Sequence, residues 1–443
     1  MASTRLTRTF GSSGNRKTYT LSFWVKFSNT SDTNTLVNVG PFSGDNEFRL
    51  TRLNNGQLAF HDYGSSAYKF RYKTTRLLRD TNAWYHIVCA VDTTQSTSGD
   101  RIKIYINGFQ ETSFATNVEP SQNLDTDWGL AEDYTIGATE SGNYTDGILS
   151  HFHYTDGTAY DASAFGSTDS TTGEWKINTS PSVTYGTNGF FILKDGNSVT
   201  DQSGNSNNWT VGAGTLTKTE DCPSNNFATF NRLVATNSTM GLTYGNTKAQ
   251  TGSNYSSNRS NSWFSSLGMS TGKYYAEFKP KTASANIIGI AFNLNIAQKG
   301  TGASQYNFAY STYGFAYQSG AVGNDSVGYT TSGYDAYTAD DIIGIAVDLD
   351  NNKLYVSKNG TFQNSADPAN GTGGYSITAD KEYFFAVSDN AASTVCYTEA
   401  NFGNGYFATT AVSSAGTNAS GNGIFEHDVP NGFTALSTKG LNL

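Results

Sequence analysis

Three pairs of acidic residues lie close enough in the sequence to cooperate in hydrolysis. They are Asp125 with Asp127, Glu132 with Asp133, and Asp348 with Asp350. Glycosidases hold two carboxylates roughly 5–10 Å apart, a distance that acidic residues spaced two or four apart on one strand face can reach. Each pair here lies among Gly and Asn residues, a context in which Asp is favoured for hydrogen bonding within turns. We interpret all three as solvated turns and predict that the protein is not an enzyme; a polysaccharide-degrading enzyme (a depolymerase) is the alternative.

Two further groups of residues could bind a metal ion. His151 and His153 point to the same side of a predicted strand, but no third ligand lies nearby, which favours a surface or inter-sheet histidine pair. The stretch "DQSGNSNNW" carries alternating oxygen atoms of the kind that suits calcium. A turn closed by its own hydrogen bonds is the favoured interpretation, so no cofactor is expected. The alternative is a calcium site formed by Asp201, Ser203, Asn205 and Asn207.

A tyrosine-rich segment, 306–337, has the composition of a binding surface. It contains no Lys or Arg and many Ser, Gly and Asn residues, a mixture in which Tyr supplies rigid contact area and small polar residues adapt their hydrogen bonds. Its first half alternates like a core-facing strand. Tyr329, Tyr334 and Tyr337 fall in loop-like sequence, and we predict that they are exposed ligand contacts; ordinary packing is the alternative.

The stretch "YKFRYKTTRLLRD", residues 68–80, is the one concentrated basic segment of the chain. Alternation predicts that Lys69, Arg71 and Lys73 share one face of a strand, with Phe70 and Tyr72 on the other. Such a stripe can be a charged sheet edge that resists aggregation. It can equally contact an acidic neighbouring protein or an anionic cell-surface glycan.

Charge and composition exclude several classes of function. The chain has 443 residues, a net charge of −9 and only 15% charged residues. An acidic, charge-poor surface argues against nucleic-acid binding, which depends on Lys and Arg. No apolar run is long enough to span a membrane, and the amino terminus has no signal-peptide pattern. We therefore expect no nucleic acid, no membrane insertion, and synthesis in a cytoplasm without a signal peptide.

The elements that must position these residues are β-strands. Apolar and polar residues alternate in "YTLSFWVKF", "AWYHIVCAVD" and "RIKIYING", and such runs recur every 8–15 residues. This rhythm predicts antiparallel sandwiches. A similar hairpin occurs twice, at 90–110 and 346–363, each time ending in Asn-Gly, which suits the left-handed positions of a tight turn. We interpret the repeat as a shared way of pairing neighbouring strands.

Both halves resemble known families. Residues 19–166, through "LSFWVK", "WYHI", "YING" and a closing Gly-Ile strand, resemble a laminin-G-like, concanavalin-A-type jelly roll. The series "GKYYAEFK", "IIGIAF", "YGFAY", "DDIIGIAVDLDNNKLYVSKNG", "YFFAVS" and "NFG" resembles the SPRY domain. The start, the "DQSGNSNNWT…DCPSNNFATFN" junction and the end "VPNGFTALSTKGLNL" together resemble virion-associated proteins of tailed, especially marine, bacteriophages.

The predicted architecture is all-β, with two antiparallel β-sandwich (jelly-roll) domains. We expect a laminin-G-like domain at 1–166, an ordered connector at 167–225, a SPRY-like sandwich at 226–410 and a docking tail at 411–443. The resemblance implies a non-enzymatic virion component of a tail fibre, an appendage or the capsid surface. Its expected partners are other virion proteins and host-surface polysaccharide or receptor, within a homo-oligomeric or larger assembly.

Overall fold

The alternating strands form two separate β-structures in the computed structural model. It describes residues 3–40, 47–194, 198–234, 241–251, 262–282, 286–292, 308, 314–318, 320–324, 328–330, 334–389 and 395–442, with the backbone alone at 324, 328–330 and 389. The chain divides into two compact units, residues 1–218 and 219–443. The predicted all-β fold is confirmed, since the helical turns in the described residues are short 3-10 segments: Ser98–Asp100, Ala162–Ala164, Arg232–Val234 and Gly440–Asn442.

The first unit is a sandwich of an eight-stranded and a six-stranded sheet. The larger sheet has the order β10-β6-β5-β4-β3-β11-β1-β16, and the smaller has the order β15-β12-β2-β7-β8-β9. Strands β13 and β14 form a small sheet of their own. The bounds are β1 Arg5–Thr9, β2 Thr18–Phe27, β3 Asn34–Val39, β4 Glu47–Arg52, β5 Gln57–Gly64, β6 Ala67–Leu77, β7 Tyr85–Asp92, β8 Ile102–Ile106, β9 Phe109–Gln110, β10 Phe114–Val118, β11 Asp133–Ile136, β12 Gly147–Asp156, β13 Gly166–Thr168, β14 Trp175–Ile177, β15 Phe190–Ile192 and β16 Thr210–Ala213.

The core of the first unit lies between these two sheets. Phe48, Phe60 and Phe70 from the larger sheet and Phe23 and Phe152 from the smaller are fully buried in one cluster. Because strand side chains alternate, burying these residues turns their neighbours outward on both sheets. The outward faces are therefore where functional side chains can lie.

The second unit also has two antiparallel sheets, of the orders β17-β18-β30-β20-β25-β26-β27 and β19-β29-β21-β22-β23-β24. Strands β31 and β32 pair with each other, β28 pairs with β26, and β33 runs parallel to β20. The bounds are β17 Gly241–Thr243, β18 Lys248–Thr251, β19 Trp263–Phe264, β20 Lys273–Pro280, β21 Asn286–Ala291, β22 Gly314–Gln318, β23 Ala321–Asn324, β24 Gly328–Thr330, β25 Ile343–Asp348, β26 Lys353–Lys358, β27 Thr361–Phe362, β28 Tyr375–Ser376, β29 Phe384–Asp389, β30 Cys396–Asn401, β31 Tyr406–Phe407, β32 Thr410–Ala411 and β33 Thr434–Ala435.

The repeated hairpin is present in both units. Strands β7 and β8 pair as β25 and β26 do. The Asn-Gly turns that follow β8 and β26 have positive φ at both residues, 49° and 81° at Asn107 and Gly108, and 47° and 81° at Asn359 and Gly360. This is the geometry of a tight hairpin turn. The predicted role of the repeat in pairing neighbouring strands is confirmed.

The segment 167–225, predicted to be an ordered connector that packs on the sandwiches, also contributes strands to the sheets of the first unit. Its strand β15 pairs with β12 and its strand β16 pairs with β1, so both are edge strands of the first unit. Edge strands contributed by a distant segment are hard to assign from local pattern, because the pairing is non-local. In the second unit, the end of the chain packs through Phe425, Val429 and Phe433 on a cluster with Tyr275 and Tyr355.

None of the helical turns in the described residues has the length and apolar character needed to span a bilayer.

Candidate functional site on the eight-stranded sheet

Strand β6 carries the basic segment, and its apolar residues face the core. Phe70 and Tyr72 are buried, with exposed fractions of 0% and 3%, whereas Arg71 and Lys73 between them are partly exposed. The predicted alternation of these four residues is confirmed. Strand β6 is not the edge of its sheet, because β10 pairs with it on one side and β5 on the other.

Lys69 does not share the face of Arg71 and Lys73, and this part of the prediction is wrong. The register between β5 and β6 shifts between Asp62 and Tyr63, which leaves Lys69 at a bulge without a partner residue on β5. A bulge re-aims side chains relative to simple alternation. The Lys69 ammonium lies 2.6 Å from Asp127 Oδ1 and 3.1 Å from Asp62 Oδ1. Tyr68, one residue earlier, takes the outward position instead.

Asp62, Asp127 and Lys69 form a buried ionic cluster. The side chains of Asp62 and Asp127 are 0% and 3% exposed, and Asp62 Oδ2 accepts a hydrogen bond from the Asp127 backbone N–H at 2.7 Å. Burial, followed by repulsion from Asp127, raises the pKa of Asp62 to about 7. Asp127 is therefore not part of a solvated turn, although Asp125 is exposed and lies 3.9 Å from Lys17. Lys69 contacts both carboxylates, and neither is appreciably exposed to solvent.

The other two acidic pairs differ from each other. Glu132 and Asp133 are exposed, as predicted. Asp348 is fully buried and pairs with Lys273 at 2.9 Å, so its predicted exposure is wrong. Its carboxylate also closes the turn by accepting hydrogen bonds from Asn351, and its neighbour Asp350 is exposed.

The outward face of β4, β5 and β6 brings together side chains that are distant in sequence. Arg49 lies opposite His61 on the neighbouring strand, and His61 lies opposite Arg71. We call this surface the basic-aromatic face and define it by Glu47, Arg49, His61, Tyr68, Arg71 and Lys73.

Glu47 organises one half of the basic-aromatic face. Its Oε1 atom lies 2.6 Å from the Arg49 guanidinium and 3.3 Å from His61 Nε2. Arg49 Nε also donates a hydrogen bond to Asn38 Oδ1 at 3.2 Å. Burial is the main cause that lowers the Arg49 pKa, and Glu47 opposes it. These contacts hold Arg49 and His61 in place before any ligand arrives.

Tyr68 and Arg71 form the other half. The Arg71 guanidinium carbon lies 4.2 Å from the centre of the Tyr68 ring, within cation–π distance. Tyr68 also makes edge contacts with His61 and Tyr63, at 5.6 and 5.1 Å between ring centres. The Tyr68 side chain is 37% exposed. Its orientation is therefore fixed, yet part of its surface remains open to solvent.

The basic-aromatic face carries a net positive charge on an acidic protein. Arg49, Arg71 and Lys73 against Glu47 leave +2 with His61 neutral. No carboxylate among the described residues pairs with Arg71 or Lys73. Burial, and then repulsion from Arg71, lowers the Lys73 pKa. Two neighbouring cations without carboxylate partners can attract an anion.

The tyrosine segment behaves differently from the prediction. Tyr337 is 4% exposed and packs in the core of the second unit, and its hydroxyl donates to the backbone carbonyl of Asn286. Its predicted exposure is wrong, because this hydroxyl finds its partner inside. Tyr334 is half-buried beside Tyr317, with ring centres 6.1 Å apart. Tyr329 belongs to β24, and its side chain lies outside the described residues.

The four proposed calcium ligands are engaged by the protein itself. Asp201 accepts hydrogen bonds from the backbone N–H groups of Phe191, Ser203 and Asn207 and from the Ser203 hydroxyl. Asn205 and Asn207 donate their amide hydrogens to nearby backbone carbonyls, among them that of Gly189. Asn207 Oδ1 accepts from Arg8 at 2.6 Å. This arrangement agrees with the favoured interpretation, a turn closed by its own hydrogen bonds, and calcium binding stays the untested alternative.

His151 and His153 are buried, with exposed fractions of 7% and 2%. They lie on the outer face of the six-stranded sheet, beneath the segment that follows β12. A register shift between Ser150 and His153 separates their positions, and His151 has a positive φ of 47°. No group of three or more His, Cys, Asp or Glu side chains that could hold a metal occurs within the described part of the chain.

Comparison with known proteins agrees with the fold of the first unit. Residues 5–159 match the laminin G family described as the concanavalin A-like lectin/glucanases superfamily. No curated protein sequence matches the chain.

Solved structures that match the chain include SPRY and laminin domains. The SPRY domain of human HERC1 is 15% identical, with a TM-score of 0.29, over 39% of this chain and 96% of that one. The TRIM65 PSpry domain is 10% identical, with a TM-score of 0.26, over 39% and 89%. Domains LG4-5 of the mouse laminin alpha1 chain are 9% identical, with a TM-score of 0.29, over 97% and 92%. The family match shows that residues 5–159 form a laminin G-like, concanavalin A-like domain.

Proposed function

We propose that the protein is a non-enzymatic binding protein whose basic-aromatic face binds an anionic polysaccharide. The observation that carries this proposal is the Arg71 guanidinium, held on the Tyr68 ring and lacking a carboxylate partner among the described residues. Guanidinium groups bind carboxylates and phosphates through paired hydrogen bonds. An exposed tyrosine ring beside them offers an apolar surface on which a sugar ring can pack.

The arrangement of the other residues supports recognition rather than catalysis. Glu47 is engaged by Arg49 and His61, so it orients neighbouring donors instead of facing solvent as a free acid. The two carboxylates that lie close together, Asp62 and Asp127, are buried behind Lys69. A glycosidase needs its pair of carboxylates on either side of the bond to be cleaved. The geometry thus favours a lectin-like role over a depolymerase.

We further propose that the protein is part of a tailed-bacteriophage virion, in a tail fibre, an appendage or the capsid surface. The support is the similarity of the start, the junction and the end of the sequence to such proteins, together with a concanavalin A-like domain suited to binding. In this setting the polysaccharide belongs to the host surface, and other virion proteins hold the chain in place. Immunoelectron microscopy of virions with an antibody against this chain tests the location. Unlabelled particles would contradict it.

Binding is tested with the full chain and two polysaccharides of matched length, alginate as a polyuronate and dextran as a neutral control. Affinity electrophoresis should show retardation by alginate and none by dextran. Arg71→Gln should weaken the interaction at least tenfold, because a hydrogen bond between charged groups contributes about 1.5–3 kcal/mol. Lys103→Gln, on the other sheet, is the matched control and should bind like the wild type.

The same mixtures distinguish a binding protein from a polysaccharide-degrading enzyme. Retention of alginate without an increase in reducing ends supports a binding protein. Release of reducing ends by the wild type and not by Asp62→Asn would support the depolymerase instead. Equal affinity of the wild type and Arg71→Gln would show that the basic-aromatic face is not the binding site.

A further inference from the structure

The segment 157–185 covers the outer face of the six-stranded sheet in the first unit. Its strands β13 and β14 pair only with each other among the described strands, so they add no ladder to the sheet below. Backbone groups attach only its first residues to β2, where Gly157 N–H donates to the Thr18 carbonyl at 3.0 Å and Tyr160 N–H donates to the Thr20 hydroxyl at 2.7 Å. Beyond these, side chains attach it through an apolar cluster that includes Ala162 and Phe165. A segment held mainly by side chains can open without breaking the sandwich.

The two ends of this segment are fixed next to each other. The Asp156 N–H donates to the Tyr185 carbonyl at 2.7 Å, and Asn188 N–H donates to Asp156 Oδ2 at 2.9 Å. Gly157 and Gly186 follow these positions with positive φ angles of 99° and 69°. The segment is therefore a loop whose two ends are held together. Its middle residues can move away from the sheet while Asp156 and Tyr185 stay hydrogen-bonded.

His86 attaches the loop in a way that requires a neutral ring. Trp175 Nε1 donates a hydrogen bond to His86 Nδ1 at 3.0 Å. The indole N–H can only donate, so Nδ1 must accept and cannot carry a proton. The other ring nitrogen, Nε2, lies 2.9 Å from the Ser22 hydroxyl. If Nδ1 were protonated, its N–H would face the indole N–H of Trp175. Two donors cannot hydrogen-bond to each other, so the bond to Trp175 would be lost.

The Trp175 ring packs against two glycines at positions where a larger residue would clash with it. A Cβ atom built on Gly108 would lie 2.4 Å from the Trp175 ring, and one on Gly166 would lie 2.6 Å from it. The Trp175 and His86 rings are nearly coplanar, with centres 6.0 Å apart and an angle of 17° between their planes, as their edge-to-edge hydrogen bond requires. The contact between Trp175 and His86 is therefore a specific attachment.

His153 makes the second attachment. Its ring stacks on Phe191 with centres 3.9 Å apart, and Nδ1 lies 2.9 Å from the Tyr185 hydroxyl at the end of the loop. Phe165 of the loop contacts the same ring at 5.2 Å. Burial is the main cause that lowers the pKa of both histidines, that of His86 to about 3, and the neighbouring His151 adds to it.

The charged groups that act on the two rings disfavour protonation of the closed state, and the carboxylates of Asp161 and Glu174 in the segment are exposed. Lys194 lowers the His153 pKa further, and neither ring gains a stabilising contribution from a carboxylate among the described residues. Three further cations lie on the strands and the segment that pack at this face. Lys26 lies on β2, Lys103 pairs with Asp100, and Lys176 pairs with Asp169.

We propose that the segment 157–185 is an acid-released strap. Protonation of His86 and His153 detaches it from the six-stranded sheet, while the sandwich beneath stays folded. Opening uncovers an apolar surface that includes Val88 and Phe191, which the closed strap contacts. This property is independent of the basic-aromatic face, which lies on the other sheet.

The expected effect follows from linkage. An exposed histidine has a pKa of about 6.5, whereas His86 under the strap has one of about 3. At pH 5, His86 alone should therefore favour opening about 30-fold relative to pH 7.5, and His153 should add to this. Hydrogen–deuterium exchange of the full chain, corrected for the pH dependence of intrinsic exchange, measures the opening in peptides from 157–185.

We expect protection of the strap peptides to fall at least 30-fold between pH 7.5 and pH 5, with little change in β2 and β7. His86→Gln keeps an acceptor for Trp175 and a donor for Ser22 but does not titrate, so the pH effect should shrink at least tenfold. His427→Gln, in the second unit, is the control and should keep the full effect. Equal loss of protection across the whole first unit, or an undiminished effect in His86→Gln, would overturn the proposal. If His86→Gln does not fold, His153→Gln takes its place, and its loss of strap protection between pH 7.5 and pH 5 is compared with that of the wild type.

Discussion

Replacing Lys69 by Met tests whether this residue belongs to a buried ionic cluster. The ammonium lies 2.6 Å from Asp127 and 3.1 Å from Asp62, whose side chains are 3% and 0% exposed. Removing one partner of a buried ion pair costs about 3–5 kcal/mol, because the remaining charge is left without compensation. Lys69 itself is 22% exposed. We therefore expect a loss of about 3 kcal/mol in the free energy of unfolding at pH 8, at the lower end of that range.

The loss should depend on pH in a defined direction. Burial and the charge of Asp127 raise the pKa of Asp62 to about 7, so Asp62 is ionised at pH 8 and protonated at pH 5. A protonated Asp62 carries no charge for Lys69 to compensate, and Asp127 retains a second cation, the Arg16 guanidinium at 3.6 Å. The cost of Lys69→Met should fall to about 1–2 kcal/mol at pH 5.

Urea titrations followed by hydrogen exchange of β2 and β7 peptides report on the first unit alone. Lys73→Met is the matched control, because Lys73 lies on the same strand and pairs with no carboxylate among the described residues. It should change the free energy of unfolding by less than about 0.5 kcal/mol. Equal losses for the two variants, or a loss for Lys69→Met that does not change between pH 5 and pH 8, would refute the reasoning.

Three other perturbations have defined outcomes. Glu277→Gln should destabilise the second unit by about 2–3 kcal/mol and increase exchange near the chain end, since the buried carboxylate accepts two backbone N–H groups of that segment; unchanged exchange would contradict this. Gly108→Ala places a methyl group 2.4 Å from the Trp175 ring at a φ of 81°. It should cost about 1–3 kcal/mol and loosen the strap more than β2, and equal exchange changes in both would count against the packing. Millimolar calcium should raise the melting temperature by less than about 1 °C, because the Asp201 carboxylate already accepts four hydrogen bonds; a larger shift that Asp201→Asn abolishes would show that the loop rearranges to bind the ion.

The strands were predictable from the sequence because local alternation determines which residues enter the core. Phe70 and Tyr72 pointed inward, and Arg71 and Lys73 outward, as their spacing required. The bulge that turns Lys69 away was not predictable. It depends on the register of β6 against β5, which is set by non-local pairing.

The basic-aromatic face was only partly visible for the same reason. Alternation in "EFRLTR" and "LAFHDYG" could have placed Arg49 and His61 outward, but nothing in the sequence put these strands beside β6 in this register. The prediction that Tyr337 is exposed was wrong for a different reason. Loop-like composition does not reveal that the Tyr337 hydroxyl donates a hydrogen bond to a buried backbone carbonyl. Patterns of period two predict the layer of a residue better than they predict its neighbours.

The pH dependence of the first unit combines two opposite effects. The folded-state pKa of Asp62 is raised from its ordinary value to about 7, so its contribution to stability falls as the pH rises from about 4 to about 7. The folded-state pKa of His86 is lowered to about 3, so its contribution falls as the pH drops below about 6.5. Each effect has a slope of about 1.4 kcal/mol per pH unit, and the two nearly cancel between pH 4 and pH 6.5.

His153 breaks this balance, because burial lowers its pKa in the same direction as that of His86. The free energy of unfolding should therefore be highest near pH 6–6.5, with a loss on the acid side and a smaller loss up to about pH 7. Asp62→Asn should remove the loss at higher pH and make the acid side steeper, because it removes the opposing contribution, while His86→Gln should flatten the acid side. Urea midpoints measured in half-unit steps from pH 4.5 to pH 8 test both. A stability maximum that moves to higher pH in His86→Gln would contradict the assignment. Removing a histidine that is buried in its neutral form can only reduce the loss of stability at low pH.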